Sequence, residues 1–336
     1  MNIWDTLILH PMLITLIVLA VVFDFLNGMH DSSNLVATVI SSRAARPRVA
    51  LLLAAVANFL GPFLFGVAVA TTIGDDLLVA EAITQTVVIA ALGAAIVWNL
   101  LTWYFGIPSS SSHALVGGLL GAAIVAAGVG VVKADGLLKI ILALLLSPPL
   151  GLLTAFLIMR LTLWIVRGAT PNVNTGFRRL QIPTLLGLSL SHGANDAQKT
   201  MGVIALGLLL AGEIETFEIP RWVIVVSALA IALGTSLGGW RLIRTLGGKI
   251  YKVRPIHGFT SQVAGAGVII GASILGGPVS TTQVMSSAIV GAGAGERANR
   301  VRWNVLRDMV YGWILTIPVT AILAGIIYLG LDQILR

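Results

Sequence analysis

The chain has 336 residues, of which 57% are hydrophobic and 10% are charged. A soluble domain carries about 25% charged residues, so the composition excludes a soluble protein and predicts an all-α polytopic membrane protein. The net charge of +7 does not require a nucleic-acid partner, and we expect none, because the arginines cluster between apolar runs, as they do in cytoplasmic loops. The sequence has no cysteine, which excludes disulfides and thiolate metal sites.

Ten apolar runs follow one another along the chain, many of them near the ~20 residues that a bilayer crossing requires. They cover residues 11–42, 48–73, 84–107, 113–131, 137–159, 183–211, 222–240, 257–276, 279–293 and 311–331. The first run is longer than the core of a signal peptide and is interpreted as a retained span. The longest polar connection, over residues 160–179, divides the chain into two halves.

The distribution of charge predicts the orientation in the membrane. Basic residues gather at 43–48, 160–179, 241–254 and 297–307, and the positive-inside rule assigns these loops to the cytoplasm. One acidic loop carries Asp75, Asp76 and Glu81, and another covers residues 212–218. Both acidic loops then lie outside, as do both termini. The expected location is the cytoplasmic (inner) membrane of a bacterium.

Two motifs recur in the same order in both halves. The stretch "NGMHDSSN" around Asp31 matches "HGANDAQK" around Asp196, and the stretch after Pro108 matches the stretch after Pro278 at nearly the same offset. The first motif leads to a basic loop in one half and to an acidic loop in the other. We therefore predict two inverted-topology repeats, over residues 1–160 and 183–336, joined by a cytoplasmic connector over residues 161–182.

Asp31 and Asp196 are the first pair of candidate site residues. A carboxylate at membrane depth indicates a functional site, and its duplication at matched positions favours that interpretation over a helix cap at a water-facing loop. Gly28 and Gly193 precede the aspartates by three residues. Glycine permits backbone shapes that interrupt a helix and free carbonyl groups for ion binding, although single membrane glycines also serve close packing.

The second pair of motifs carries hydroxyl groups. Four serines follow Pro108, and "VSTTQ" follows Pro278. Proline often marks a helix boundary, and Ser or Thr then caps the helix that follows. Such an N-terminus offers free N–H groups and the positive end of the helix dipole to an anion. The alternative, that these hydroxyls only mediate helix packing, is weaker for two clusters in matched positions.

The two pairs of motifs conflict electrostatically unless a cation is present. Helix N-termini and hydroxyls suit an anion, whereas two aspartates repel one. The conflict disappears if each carboxylate binds a proton or a metal cation when the anion binds. Charge balance at low dielectric thus predicts obligatory symport of an anion with a cation.

At these motifs the sequence resembles the inorganic phosphate transporter (PiT) family, over nearly the whole chain. The resemblance rests on "NGMHDSSNLVATVISSRAARP", "NLLTWYFGIPSSSSHALVGG", "SHGANDAQKTMG" and "GGPVSTTQVMSS". It implies two inverted repeats, each with a broken helix and a re-entrant helical hairpin, and inorganic phosphate held between the hairpin tips and the Asp motifs. A homodimer is implied by the resemblance alone. The implied phosphate contacts are Ser110, Ser111, Ser112, Ser280, Thr281, Thr282 and Gln283. The implied cation-linked residues are Asp31, Asn34, Asn195 and Asp196, with the two aspartates as ligands if a metal cation binds.

Two residues depart from the sodium-coupled pattern Gly-Ala-Asn-Asp-x-x-Asn. His30 stands where the first half would have Asn, and Lys199 stands three residues after Asp196. This form resembles the bacterial low-affinity branch, which is linked to proton coupling and to phosphate carried as a neutral complex with a divalent metal. Our hypothesis is that Lys199 replaces a sodium ion, pairing with Asp196 or facing phosphate, and that His30 carries the proton. The alternative is that Lys199 extends to the membrane interface and only neutralises Asp196.

Other functions fit parts of the same pattern. Sulfate is also tetrahedral, and the sequence leaves phosphate and sulfate open, as it leaves open proton or sodium coupling. An intramembrane hydrolase needs one nucleophile held by one base, but here the Ser cluster is duplicated and Gln283 stands where the first copy has His113. A passive anion channel is disfavoured by the buried carboxylates. We therefore expect a transporter without a cofactor, and not an enzyme.

Overall fold

The computed structural model describes residues 10–74, 77 and 83–335, and within these residues it contains helices and no strand. The predicted all-α class is confirmed. The acidic residues Asp75, Asp76 and Glu81, which the orientation prediction used, lie outside the described residues, as does the N-terminal end of the chain.

Twelve α-helices are described, and residues 166–172 separate the sixth from the seventh. The first six are α1 Pro11–Ser41, α2 Pro47–Leu60, α3 Ala68–Gly74, α4 Gln85–Phe105, α5 Ser111–Ala127 and α6 Ala134–Ile165. The second six are α7 Val173–Leu210, α8 Arg221–Leu237, α9 Trp240–Arg244, α10 Pro255–Ile274, α11 Thr281–Arg297 and α12 Trp303–Leu335.

Several of these helices are suited to a membrane. Four of them, α1, α4, α6 and α12, are long and apolar enough to cross one, and α8 with the segment after it would make a fifth. On α6, the leucines 145, 146, 150, 153 and 157 are each at least half exposed. An exposed apolar face of this size is stable against lipid rather than water. The protein is an integral membrane protein.

Helices extend into the polar connection between the halves. Helix α6 continues to Ile165 and α7 begins at Val173, so most of the predicted connector over residues 161–182 is helical. Arginine is a good helix former, and a loss of hydropathy therefore marks the end of an apolar stretch rather than the end of a helix. The boundaries of the two repeats remain a prediction.

The helices that carry the aspartate motifs are unbroken, contrary to expectation. Helices α1 and α7 run without interruption through Gly28 and Gly193. A Cβ atom at Gly28 would collide with the carbonyl oxygen of Ile231 on α8, and one at Gly193 with the carbonyl oxygen of Asn58 on α2. These glycines therefore allow close helix contact, and neither aspartate caps a helix end.

The breaks lie in neighbouring helices instead. Helix α2 ends in a 3₁₀ turn, Gly61–Phe63, before α3 begins, and α8 is bent by 58° relative to the segment Trp240–Lys249. At the second break Gly238 has φ +78°, a left-handed conformation that favours glycine. Side chains of α1 and α7, the two helices that carry the aspartate motifs (the motif helices), hydrogen-bond the backbone at both breaks. Gln198 on α7 hydrogen-bonds the backbone of Gly66 and Val69, and Ser32 on α1 accepts from Gly239 N.

Helices of each half pack against helices of the other half, and the pairs that form are equivalent in the two halves. Helix α1 packs on α8 of the other half, and α7 packs on α2. Helix α6 packs along α11, and α12 packs along α5. Helices α4 and α5 form one helical hairpin, and α10 and α11 form the other, each with a turn that contains a motif proline. The two halves are therefore interleaved rather than side by side.

Substitution of Gly193 by alanine tests the close contact between α7 and α2. We expect Gly193→Ala to lower the free energy of unfolding by about 1–3 kcal/mol, because the added methyl group meets rigid backbone. Denaturant titration of the protein in detergent micelles measures this change. Gly187→Ala is the matched control on the same helix. It has no atom within 4 Å of the new methyl group and should be neutral or stabilising by up to about 1 kcal/mol. Equal losses in the two variants would contradict the packing role of Gly193.

Candidate functional site

The two motif aspartates meet at one threonine on the second hairpin. Thr281 Oγ1 lies 3.0 Å from Asp31 Oδ2 and 2.8 Å from Asp196 Oδ2. Thr282 Oγ1 lies 2.6 Å from Asp31 Oδ1. All four side chains are at most 2% exposed. Because α1, α7 and the N-terminus of α11 supply them, the cluster joins both halves of the chain.

His192 bridges the same two aspartates. Its Nε2 lies 3.0 Å from Asp196 Oδ2 and 3.5 Å from Asp31 Oδ2. Its Nδ1 lies 3.1 Å from Asn58 Oδ1, and Asn58 in turn donates to Thr235 Oγ1 at 2.7 Å. Both ring nitrogens thus face oxygen acceptors, an arrangement that a doubly protonated imidazolium satisfies in full.

Lys199 is buried in the site, so its side chain does not extend to the membrane interface as the alternative supposed. Its side chain is 1% exposed and forms an ion pair with Asp196 Oδ1. Its Nζ also donates to Ser112 Oγ at 2.6 Å and to the carbonyl oxygen of Val279 at 2.9 Å. All three protons of the ammonium group therefore have acceptors. The part of the hypothesis that pairs Lys199 with Asp196 is what the geometry shows.

The same pair of contacts occurs in the other half. Asn34 Nδ2 donates to Asp31 Oδ1 at 2.9 Å and contacts Thr282 Oγ1 at 3.0 Å. Asn34 and Lys199 occupy matched positions of the first motif, and Ser112 and Thr282 occupy matched positions of the second. The donor three residues after each aspartate thus contacts that aspartate and a hydroxyl on the opposite hairpin. One copy uses a neutral amide and the other a cation.

The hairpin tips are capped helix N-termini, as predicted. The hydroxyl oxygen of Ser110 accepts from His113 N at 3.1 Å, and that of Ser280 accepts from Gln283 N at 3.3 Å. The tips touch directly, since Ser112 Oγ donates to Val279 O at 3.1 Å. The N-termini of α5 and α11 consequently point at one buried region.

The remaining predicted residues lie around this cluster in supporting positions. His30 Nδ1 is 3.3 Å from Asp31 Oδ1. Asn195 donates to Ser273 Oγ and to Gly277 O, and so contacts the second hairpin rather than an aspartate. Gln283 contacts the ring of His113 at 3.4 Å, away from the carboxylates. Ser111 is buried beside Ser112.

Sequence reasoning left His192 without a role and passed over Asn58. The signal for His192 was its position four residues before Asp196, which places both on one face of α7. For Asn58 the only available signal was a polar residue within an apolar run. The partner helix of such a residue depends on tertiary packing, so its contact with His192 was not accessible from spacing.

Asp31, His192 and Asp196 can together hold a cation. Each offers one ligand atom, and these atoms all lie within 4.8 Å of one another. A nitrogen and carboxylate oxygens suit a proton or a hard or borderline metal ion. When no cation occupies this position and His192 is protonated, Lys199 and His192 balance the two carboxylates, and the cluster is neutral without a bound anion.

Removing the charge of Lys199 should destabilise the fold. We expect Lys199→Met to lower the free energy of unfolding by about 3–5 kcal/mol, because it leaves the Asp196 carboxylate buried without its ion-pair partner. Denaturant titration in detergent measures it. Adding Asp196→Asn should restore part of the loss. Asn34→Leu, at the matched position where the partner is a neutral amide, should lower the free energy of unfolding by less. If Asp196→Asn gave no recovery, the ion pair would not be the source of the loss.

Comparison with known proteins gives a consistent result. The model of the Phosphate transporter family matches residues 27–172 and 166–324. A protein of Rhizobium meliloti is 43% identical over 98% of this chain and 99% of its own length, and one of Bacillus subtilis is 44% identical over 97% and 99%. Both carry the name "Probable low-affinity inorganic phosphate transporter".

A solved structure described as "The sodium-dependent phosphate transporter" has the same fold. It superposes with a TM-score of 0.87 at 27% sequence identity, covering 96% of this chain and all of that one. The resemblance inferred from the four motifs is therefore confirmed over nearly the full length. With the family model matching both halves of the sequence, the chain belongs to the Phosphate transporter family.

Proposed function

We propose that this protein is a secondary active symporter that imports inorganic phosphate by alternating access, coupled to protons. Phosphate would bind between the N-termini of α5 and α11, in contact with Ser110, Ser111, Ser112, Ser280, Thr281, Thr282, Gln283 and Lys199. Asp31, Asn34, Asn195, Asp196 and His30 would link it to the cation. The curated relatives, named as phosphate transporters over nearly their whole length, support the choice of substrate.

The charge balance of the buried cluster is the observation that carries this proposal. Two carboxylates already face Lys199 and His192, so a phosphate anion would bring an uncompensated charge into a low-dielectric site. Such a charge is strongly disfavoured. Binding therefore requires that a cation accompany phosphate, either free or as a neutral complex with a divalent metal.

The hydrogen bonds indicate how the cation and phosphate would be linked. In this state the hydroxyls of Thr281 and Thr282 donate to the carboxylates. Phosphate accepts hydrogen bonds at its oxygens and needs these same donors. A proton or metal ion on Asp31 or Asp196 weakens the carboxylate as an acceptor and frees the hydroxyls for phosphate. Cation and anion then favour each other's binding.

Sodium coupling is the second candidate. It is favoured by the likeness to the sodium-dependent transporter and by Asn34, which follows the sodium-coupled pattern in the first half. Against it, Lys199 puts a fixed ammonium group where the pattern has a second Asn. The matched exchange of partners between α1–α6 and α7–α12 supports two inverted repeats around one site, the symmetry that alternating access uses. We infer the inner membrane of a bacterium, with both termini outside.

Reconstituted liposomes test this function. We expect labelled phosphate to accumulate under an imposed proton gradient without sodium, in assays with and without divalent metal. Accumulation that needs sodium would retain the phosphate site and overturn the proton coupling. Competition by sulfate equal to that by unlabelled phosphate would overturn the substrate assignment. Empty liposomes and liposomes with heat-inactivated protein are the controls.

Removal of the shared hydroxyl should weaken phosphate binding. We expect Thr281→Val to raise the half-saturating phosphate concentration roughly tenfold to a hundredfold, as a lost hydrogen bond to a charged group is worth about 1.5–3 kcal/mol. Thr316→Val is the matched control, because that buried hydroxyl donates only to Gly312 of its own helix. An unchanged half-saturation in Thr281→Val would contradict the phosphate contact.

Substitution of Lys199, the third residue after Asp196, tests its role in coupling. We expect Lys199→Asn, which reproduces the Asp31–Asn34 pair in the second half, to reduce proton-driven uptake and to introduce stimulation by sodium. Uptake is measured under separate proton and sodium gradients. Proton-driven uptake equal to that of the wild type, with no gain of sodium stimulation, would contradict the proposal.

A further inference from the structure

A third buried carboxylate lies on α1, outside the cluster described above. Asp24 stands seven residues before Asp31, about two helical turns along the same face. Its side chain is fully buried. It lies before the first aspartate motif, which begins at Asn27.

Asp24 has no hydrogen-bond partner of ordinary geometry among the described residues. Both carboxyl oxygens are buried and unpaired, as are the side-chain oxygen and nitrogen of Asn27, one turn further along α1. Thr200 on α7 faces Asp24, and its hydroxyl also lacks a hydrogen bond of ordinary geometry. By contrast, the oxygens of Asp31 and Asp196 all have donors within the site.

The charges near Asp24 do not supply a counter-ion. Asp196, His192 and Lys199 of α7 act on it electrostatically, and the two cations are already engaged by Asp196. The other segments packed on α1 carry titratable side chains near their ends or at exposed positions. These are Arg48 on α2, Tyr104 on α4, Arg221 on α8, Arg241 and Arg244 on α9, Lys249 after it, His257 on α10, and Glu296 and Arg297 on α11.

An ionised carboxylate in this environment would be a buried charge without an ion-pair partner of its own or a hydrogen bond of ordinary geometry, which is strongly disfavoured. A protonated carboxyl is neutral and needs no set of ligands around it, whereas a metal ion would. Asn27 of its own helix and Thr200 of α7 offer unpaired polar atoms, but among the described residues Asp24 belongs to no group of His, Asp and Glu side chains close enough to hold a metal ion.

We propose that Asp24 is a proton-binding site that couples proton movement to phosphate transport, a step that rests on the proposed function. Asp24 takes up one proton at its carboxylate from the outer aqueous phase, forming one O–H bond, and releases it to the inner phase when the transporter reorients. Protonation removes one negative charge beside the neutral aspartate cluster, which favours entry of the anion. In this proposal Asp24, rather than Asp31, Asp196 or His30, carries the proton whose gradient drives transport, and Lys199, whose three ammonium protons already have acceptors, holds Asp196.

The second half has no equivalent carboxyl. At the offset that relates Asp31 to Asp196, Asp24 corresponds to Ser189, which is also buried and has an unpaired hydroxyl. The inferred proton site is therefore single, in contrast to the duplicated aspartates. Ser189 also provides a matched control, because it occupies the corresponding place in the other half and has no part in the proposed transport steps.

Two transport assays on Asp24→Asn separate coupling from binding. At a voltage clamped to zero, a gradient of about one pH unit sustains roughly tenfold accumulation of the transported species per coupled proton. We expect this accumulation to fall to near onefold in Asp24→Asn, because the amide mimics a permanently protonated carboxyl. Exchange of labelled for unlabelled phosphate without a gradient should stay within about twofold of the wild type. Asp24→Glu should retain coupling, and Ser189→Ala should behave as the wild type in both assays.

Infrared difference spectra on the wild type provide a readout that does not depend on the folding of a variant. A pH step should reveal the carbonyl stretch of a protonated carboxyl that shifts in D₂O, and this band should shift again in Asp24→Glu. Wild-type coupling that persists in Asp24→Asn, or the absence of such a band, would overturn the assignment of Asp24. Wild-type phosphate exchange without any response to a proton gradient would overturn proton coupling itself. A wild type without phosphate exchange would overturn the proposed function.

Discussion

Two carboxylates brought within reach of one hydroxyl, deep inside the protein, determine the rest of the site. The ligand atoms of Asp31 and Asp196 lie within 4.8 Å of each other. At an effective dielectric constant of about 20, two unit charges at that distance repel each other by about 3 kcal/mol. The arrangement is stable only because Lys199, His192 and Thr281 supply charge and donors around it. Removal of any one of them leaves a carboxylate that the surroundings no longer compensate.

This proximity depends in turn on the glycines of the motif helices. Gly28 and Gly193 let α1 and α7 approach α8 and α2 until their backbones are in contact. Because the helices stay continuous, the aspartates project from rigid elements, which hold their positions closely. The neighbouring breaks, between α2 and α3 and after α8, are attached to the motif helices through Gln198 and Ser32. Motion at a break would therefore be transmitted to the aspartate-bearing helices.

The sequence predicted which residues meet in this cluster better than it predicted the backbone that carries them. Duplicated motifs at nearly constant offsets identified both aspartates, both capping serines and the pairing of Lys199 with Asp196, because these features depend on local spacing and residue type. The predicted interruption at Gly28 and Gly193 was wrong, since glycine in a membrane helix serves either a break or a close contact and the pattern does not distinguish them. The bridging role of His192 depended on Asn58 and Asp31, which reach it from other helices.

The differences between the two halves carry more information about coupling than their likeness does. When the halves are aligned on their motifs, Asn34 corresponds to Lys199, Asn27 to His192 and Asp24 to Ser189. The second half thus provides the two basic side chains that face the carboxylates, and the first half provides the additional carboxyl. A fully symmetric site would have to take all of its compensating charge from solution. With Lys199 and His192 facing the two carboxylates, the cluster needs no dissolved cation to compensate its own charge, and protonation of the additional carboxyl in the first half would remove a negative charge that opposes entry of an anion.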